Sequence, residues 1–289
     1  MRNAAVQLFE EYRKNNSGSI DRALSETIQL IALLGLSRTD FFRRAAFYGG
    51  TALRLLHGLD RFSEDLDFSL LHTEQDFRLT PYFKALSDEL ESFGFSVSIE
   101  DRRKQRSTAI ESAFIKTNTR IHVFEAGLPQ ELAATIHRNA VCKVKVEIDI
   151  DPPPGAGYEV SFIDDPAPFS LRSYSGAALF AGKMDAVLSR SWKTRAKGRD
   201  WYDFAFLVRK QIPLSLSHLE ARLRQKGFYS CDGELTADAA IHLIENRIES
   251  VDIESAKTEV LPFVRRPKDL DVWSKEYFYH VLRNLTFVQ

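Results

Sequence analysis

Between Ile20 and Leu36 the positions Ile20, Leu24, Thr27, Ile28, Ile31, Leu34 and Leu36 recur at near-helical spacing, with Ser19 placed to cap the start. A short apolar run from Arg44 to Tyr48 then ends at Gly49-Gly50, and helical spacing resumes from Thr51 to His57 through Leu53, Leu55 and Leu56. At Asp65 the period falls to two. Asp65, Asp67 and Ser69 alternate with Leu66, Phe68 and Leu70, which predicts a strand with one polar and one apolar face. Residues 81–93 read as a helix closed by Gly94, and strand-like runs follow at 95–100, 112–117 and 141–150. In the last run Cys142, Val144, Val146, Ile148 and Ile150 fill one face; Lys143, Lys145, Glu147, Asp149 and Asp151 fill the other. Pro152-Pro153-Pro154-Gly155 stops it, because proline cannot donate to a ladder.

From Ser175 onward the spacing is mostly helical, over 179–188, 201–208, 216–224, 237–248 and 277–285. The pattern predicts an α/β (α+β) chain: a first domain over residues 1–170, opened by helices, and a helical C-terminal domain over 171–289.

Composition narrows the class. The 289 residues carry 39 basic and 40 acidic side chains, a net charge of −1, which excludes a polycation that binds nucleic acid by bulk attraction. The most apolar stretch, Ile28 to Leu36, falls well short of the roughly 18–20 residues that span a bilayer. The N-terminus lacks the apolar core of a secretory signal. Cys142 and Cys231 belong to no Cys-x-x-Cys or Cys/His cluster, so neither a disulfide scaffold nor a structural zinc is expected. The expectation is a cytoplasmic protein with no membrane partner.

Three features carry chemistry. Gly49-Gly50 lies between an apolar run and a helix start, where a bare backbone and exposed N–H groups suit a phosphate. Asp65 and Asp67 share a strand face roughly 6–7 Å apart, so their charges repel unless solvated or bridged by a cation such as Mg²⁺. Glu147 and Asp149 place further carboxylates on a later strand face. Their order resembles the layout of the polymerase-β-type nucleotidyltransferases.

The segment FYGGTALRLLHGLDRFSEDLDFSL resembles the first motif of the AbiEii family, nucleotidyltransferase toxins of AbiE-type and MenT-type toxin–antitoxin systems. The matching positions are Gly49, Gly50, Thr51, Ala52 and Leu53, then Arg61, Ser63, Asp65 and Asp67. KVKVEIDIDPP looks like the family's third-carboxylate strand, with Asp149 preferred over Glu147. AGKMDAVLSRSWKTRAKGRDWYDFAFL is similar to its second motif through Lys183, Arg190, Arg199, Asp200 and Asp203. Between Lys183 and Arg199 six basic residues face one acid, a local excess of five.

The resemblance implies a polymerase-β-like domain with a mixed sheet, followed by a helical domain. It implies a two-metal Mg²⁺ site on Asp65, Asp67 and Asp149, or Glu147, and an NTP seated by Gly49, Gly50, Thr51, Ser63 and Lys183. Asp200 or Asp203 joins the catalytic set. Arg190, Lys193, Arg195, Lys197 and Arg199 would track an RNA backbone. The implied activity is transfer of a nucleoside monophosphate to RNA, with the tRNA 3′ end as acceptor, which blocks translation; a cognate antitoxin is the implied protein partner. A protein hydroxyl, a small molecule, or a non-catalytic NTP-binding module remain alternative readings. Trp192, Trp201 and Tyr202 read as packing residues, and His57, His122 and His137 receive no role.

Overall fold

The computed structural model describes residues 2–16, 18–101, 109–118, 140–190 and 197–289. The chain divides into two compact units. One comprises Met1–Ala52, Phe62–Pro152 and Val160–Ser173, and the other Leu53–Arg61, Pro153–Glu159 and Tyr174–Gln289. The helical unit thus draws two short segments from the first 170 residues.

The first unit is built on a sheet of strands β1 (Ala45–Tyr48), β2 (Leu66–Leu70), β3 (Val97–Asp101), β4 (Ile110–Asn118), β5 (Val141–Asp149), β6 (Tyr158–Ile163) and β7 (Phe169–Tyr174). Their order is β3-β4-β5-β2-β1-β7-β6. The sheet is mixed: β1 pairs antiparallel with β2 but parallel with β7, and β2 pairs parallel with β5. Its helices are α1 (Arg2–Asn15), α2 (Ile20–Ser37), α3 (Phe41–Arg44), the start of α4 (Gly49–His57), and α5 (Phe83–Ser92).

Alternation sorts the strands as the pattern predicts. Leu66, Phe68 and Leu70 on β2, with Val144, Val146 and Ile148 on β5, are fully buried, and β5 packs under α2. Each such side chain contributes about 1.5–3 kcal/mol on burial. Phe68 meets Phe41 edge-on, with ring centroids 4.9 Å apart. Helix α2 is buried on every side from Ala23 to Leu36, so its polar residues need internal partners; Asn16 donates to the buried carboxylate of Glu26. Ser19 stands at the N-cap, but its side chain makes no capping bond.

The pattern did not reveal β6 and β7, which continue the sheet beyond β1. The expected boundary at residue 170 falls inside β7. On β6 the alternation is inverted relative to burial, with Val160 and Phe162 exposed, so its apolar residues do not mark a core face.

The helical unit holds α6 (Gly176–Ser189), α7 (Gly198–Arg209), α8 (Leu216–Gln225), α9 (Ala237–Ser250), α10 (Ile253–Val260) and α11 (Lys275–Leu282). A short parallel pair, β8 (Leu214–Ser215) with β9 (Phe287–Val288), completes it. Side-chain oxygens of Ser175, Ser215, Thr236, Asp252 and Ser274 cap α6, α8, α9, α10 and α11, each worth about 1 kcal/mol. Helix α7 is the buried axis of this unit. Its first residue must be glycine, because a Cβ on Gly198 would overlap the Ala256 carbonyl of α10. Trp201 and Tyr202 are core residues as expected, the Trp201 ring lying tilted against that of Phe278 with centroids 4.8 Å apart. Among the described residues no helix is long and apolar enough to cross a membrane.

One buried histidine gives this unit a pH dependence. His218 Nδ1 lies 2.9 Å from the Pro154 carbonyl and Nε2 lies 3.4 Å from Arg222 Nη1, so Nδ1 donates and Nε2 accepts. Burial, with Arg222 adding, pushes its pKa down to about 4. The neutral form is favoured by folding, so the stability tied to it is full above pH 6.5 and drains as the pH falls toward 4. That drain amounts to about 3 kcal/mol. Urea unfolding of the wild type will show this acid slope, and His218→Gln, which keeps a donor for Pro154, will lack that part of it.

Candidate active site

Asp65 and Asp67 stand at the start of β2, on the face opposite the core, and both are half-buried. The ladder sets Asp67 across from Tyr48 on β1 and from Glu147 on β5. Asp149 pairs with Ser69 instead, and its Oδ1 accepts the Asp151 N–H at 3.1 Å. Register therefore makes Glu147 the lateral neighbour of Asp67. Glu147 also accepts a 2.6 Å ion pair from Lys145, two positions back on the same face.

Gly49 explains how Asp67 fits. It opens α4 with φ +85°, a conformation that L side chains resist, and a Cβ there would overlap Asp67 Oδ2. The missing side chain is the space the carboxylate occupies. The next residues fix the approach to β2 through main-chain bonds. The buried Thr51 hydroxyl donates to the Asp65 carbonyl, and Gln29 Nε2 on α2 donates to the carbonyls of Ser63 (3.1 Å) and Glu64 (2.8 Å). Gln29 was not visible as a site residue in the sequence, since it lies inside a helix buried on all sides. Gly50 and Ser63 are buried beside these contacts.

The helical unit gathers a second group of charges. Asp203 on α7 has no exposure. It accepts two bonds of 2.6 Å from Arg61, at Nε and Nη2, and one of 2.8 Å from Lys183 on α6. Burial works to raise the Asp203 pKa, but Arg61 and Lys183 outweigh it and hold the carboxyl below its ordinary range. Asp200, one turn earlier, pairs with Arg190 at 2.9 Å; burial nonetheless raises its pKa. Arg54 holds the other end of Arg61, donating to its carbonyl at 2.9 Å. The spacing put Asp200 and Asp203 on one helix face, but it gave no sign that Arg61 would reach across to Asp203.

The expected RNA-tracking residues are less uniform. Arg190 is tied to Asp200. Arg199 donates to Glu259 through its main-chain and side-chain nitrogens and lies over the Phe263 ring at 4.2 Å. Lys197 flanks the start of α7. Lys193 and Arg195, like Trp192, His122 and His137, lie outside the described residues.

A protein-family model described as the nucleotidyl transferase AbiEii toxin of type IV toxin–antitoxin systems matches residues 31–276. The chain belongs to the AbiEii family. It is a nucleotidyltransferase toxin of a toxin–antitoxin system, of enzyme class EC 2.7.7, with an NTP as substrate and an antitoxin as its counterpart. The crystal structure of JHP933 from Helicobacter pylori is similar in fold, with a TM-score of 0.51 at 17% identity, covering 91% of this chain and 89% of that one. A second H. pylori crystal structure, of a provisionally assigned nucleotidyltransferase, aligns with a TM-score of 0.47 at 19% identity, covering 89% of each chain. No curated protein matches the sequence.

For this AbiEii protein the donor chemistry fits Mg²⁺. Among the described residues no three His, Cys, Asp or Glu side chains are gathered to hold a metal by themselves. Mg²⁺, however, is commonly held by one or two carboxylates, with substrate phosphates and water completing the octahedron. Asp65 and Asp67 offer two such hard oxygen donors on one face.

The buried pair yields a stability test. Asp203→Asn removes the charge that compensates Arg61 while nearly preserving volume. The variant should lose about 3–5 kcal/mol in urea unfolding, as breaking one side of a buried ion pair does.

Proposed function

We propose that this AbiEii toxin transfers a nucleoside monophosphate from an NTP to the 3′ hydroxyl of RNA, with tRNA as the acceptor. The attacking oxygen forms a bond to the α-phosphorus, the bond from that phosphorus to the β-phosphate oxygen breaks, and pyrophosphate leaves. The observation that carries this reading is the pair Asp65 and Asp67 at the mouth of β2, with Glu147 in register beside Asp67 and a side-chain-free Gly49 beneath it.

In this reading Asp65 and Asp67 would hold Mg²⁺, and the chemistry it would supply is charge neutralisation on the phosphates. Gly49 and Gly50 present main-chain N–H groups to phosphate oxygens at the start of α4. Thr51 and Ser63 serve by setting the main chain around Asp65. Glu147 is the better placed third carboxylate to take the proton of the attacking hydroxyl, with Asp149 one pair farther along the ladder. Lys183 retains a surplus positive charge, because Asp203 is already neutralised by Arg61; a phosphate is the chemistry that suits it. The RNA acceptor is supported by the local excess of basic residues between Lys183 and Arg199.

Incubation with total tRNA, Mg²⁺ and each α-labelled NTP in turn tests the reading. Label should enter RNA with the wild type and not with Asp67→Ala; label entering protein instead would replace RNA by a protein hydroxyl as acceptor. Glu147→Gln should reduce the rate by 100-fold or more, of the order expected for losing a general base, and by more than Asp149→Asn does. Gly49→Ala should abolish transfer, since the new methyl displaces the Asp67 carboxylate, and a melting curve will show that the fold persists.

A further inference from the structure

Strand β6 ends one side of the sheet, and among the described residues no strand lies beyond it. One face of β6 is engaged: the Ser161 hydroxyl lies 3.0 Å from that of Ser173 on β7. The other face is engaged at its start, where Tyr158 meets Tyr174 edge-on at 5.5 Å, and is open beyond that. Val160 is 61% exposed and Phe162 79%, the latter more than any other large apolar side chain among the described residues. Natural sheet edges are usually guarded by lysine, proline or inward charge. β6 reads Tyr-Glu-Val-Ser-Phe-Ile, with neither lysine nor proline, and its one charge, Glu159, is turned toward His57 at 3.9 Å.

We propose that β6 is a self-association edge, where two copies of this chain pair antiparallel across a two-fold axis. The sequence of the strand is complementary to itself. Pairing centred on Ser161 sets Val160 of each copy opposite Phe162 of the other, giving two aromatic–β-branched cross-strand pairs on the exposed face. It also sets Glu159 opposite Ile163 and Asp164 opposite Tyr158, so no like charges meet. Centring on Glu159 or on Asp164 would oppose carboxylate to carboxylate. A register lying between residues would split the apolar face, because period two would then match outward positions with inward ones. Centring on Val160 would also respect face and charge, but it sets Phe162 opposite Tyr158, whose ring already packs on Tyr174 at 5.5 Å; the isologous arrangement centred on Ser161 is the one that draws only on the two open apolar side chains. Main-chain bonds supply the attachment, and Val160 and Phe162 leave water in the same step.

Sedimentation of the full chain across a range of micromolar concentrations tests this. The wild type should show a monomer–dimer equilibrium. The double substitution Val160→Lys with Phe162→Lys should weaken the dimer by roughly tenfold or more. Both positions are exposed, so the melting temperature should be retained. Register is read by disulfides in a Cys231→Ser background: a mixture of Val160→Cys and Phe162→Cys chains should cross-link more readily than either chain alone. A wild type that stays monomeric overturns the proposal, even if another protein is found on this edge. A dimer that survives the double lysine substitution overturns it too, by placing the contact elsewhere.

Discussion

A carboxylate that water cannot reach organises the helical unit. Ionised Asp203 in that position costs several kcal/mol of desolvation, and only near-ideal partners offset it. Arg61 supplies a planar fork with two short bonds, and Lys183 supplies a third contact. The bridge ties α6, α7 and the segment after α4 to one point. Such a pair need not exceed the stability of a well-packed apolar trio. Its effect is to fix which side chains meet, with two cations, Arg61 and Lys183, on one carboxylate.

The carboxylate strand depends on quieter contacts. Thr51 and Gln29 spend their polar groups on main-chain carbonyls at 63–65, so the backbone entering β2 is held from both α4 and α2. Two aspartates of like charge tend to splay apart. Constraining their main chain holds the two carboxylates on one face, which is what the proposed Mg²⁺ role asks of them. The motif's glycine and threonine therefore act first on the protein's own geometry, whatever they later offer a phosphate.

Much of this was legible before any coordinates. Period two on β2 and β5 separated charged from apolar faces, and both strands fold as that alternation demands. The helical stripe from Ile20 located α2, though not Gln29, because a helix buried all round has no polar face to betray a working polar residue. β6 escaped because exposed apolar side chains on an edge look like no core pattern. Which of Glu147 and Asp149 lies beside Asp67 could not be read from one strand, since lateral neighbours depend on the register with β2. Arg61 and Asp203 lie far apart in sequence, and no periodicity links them; both were visible as motif residues, but their union was not.

The strand order also has a consequence for synthesis. β1 and β2 form the middle of the sheet and emerge early, yet their outer neighbours, β5 and β7, are made far later. At about 5–20 residues per second, this antiparallel pair waits several seconds on the ribosome with both sides unpaired. Its interior includes Phe47 and Phe68, so the nascent chain presents sticky, bare-edged β structure during that interval. The pairing that brings Glu147 beside Asp67 covers the β2 side, and the β1 side stays bare until β7 is made. A nascent chain interrupted before β7 would keep a bare edge and be prone to aggregate, so the sheet becomes safe only after its carboxylate strands are already side by side.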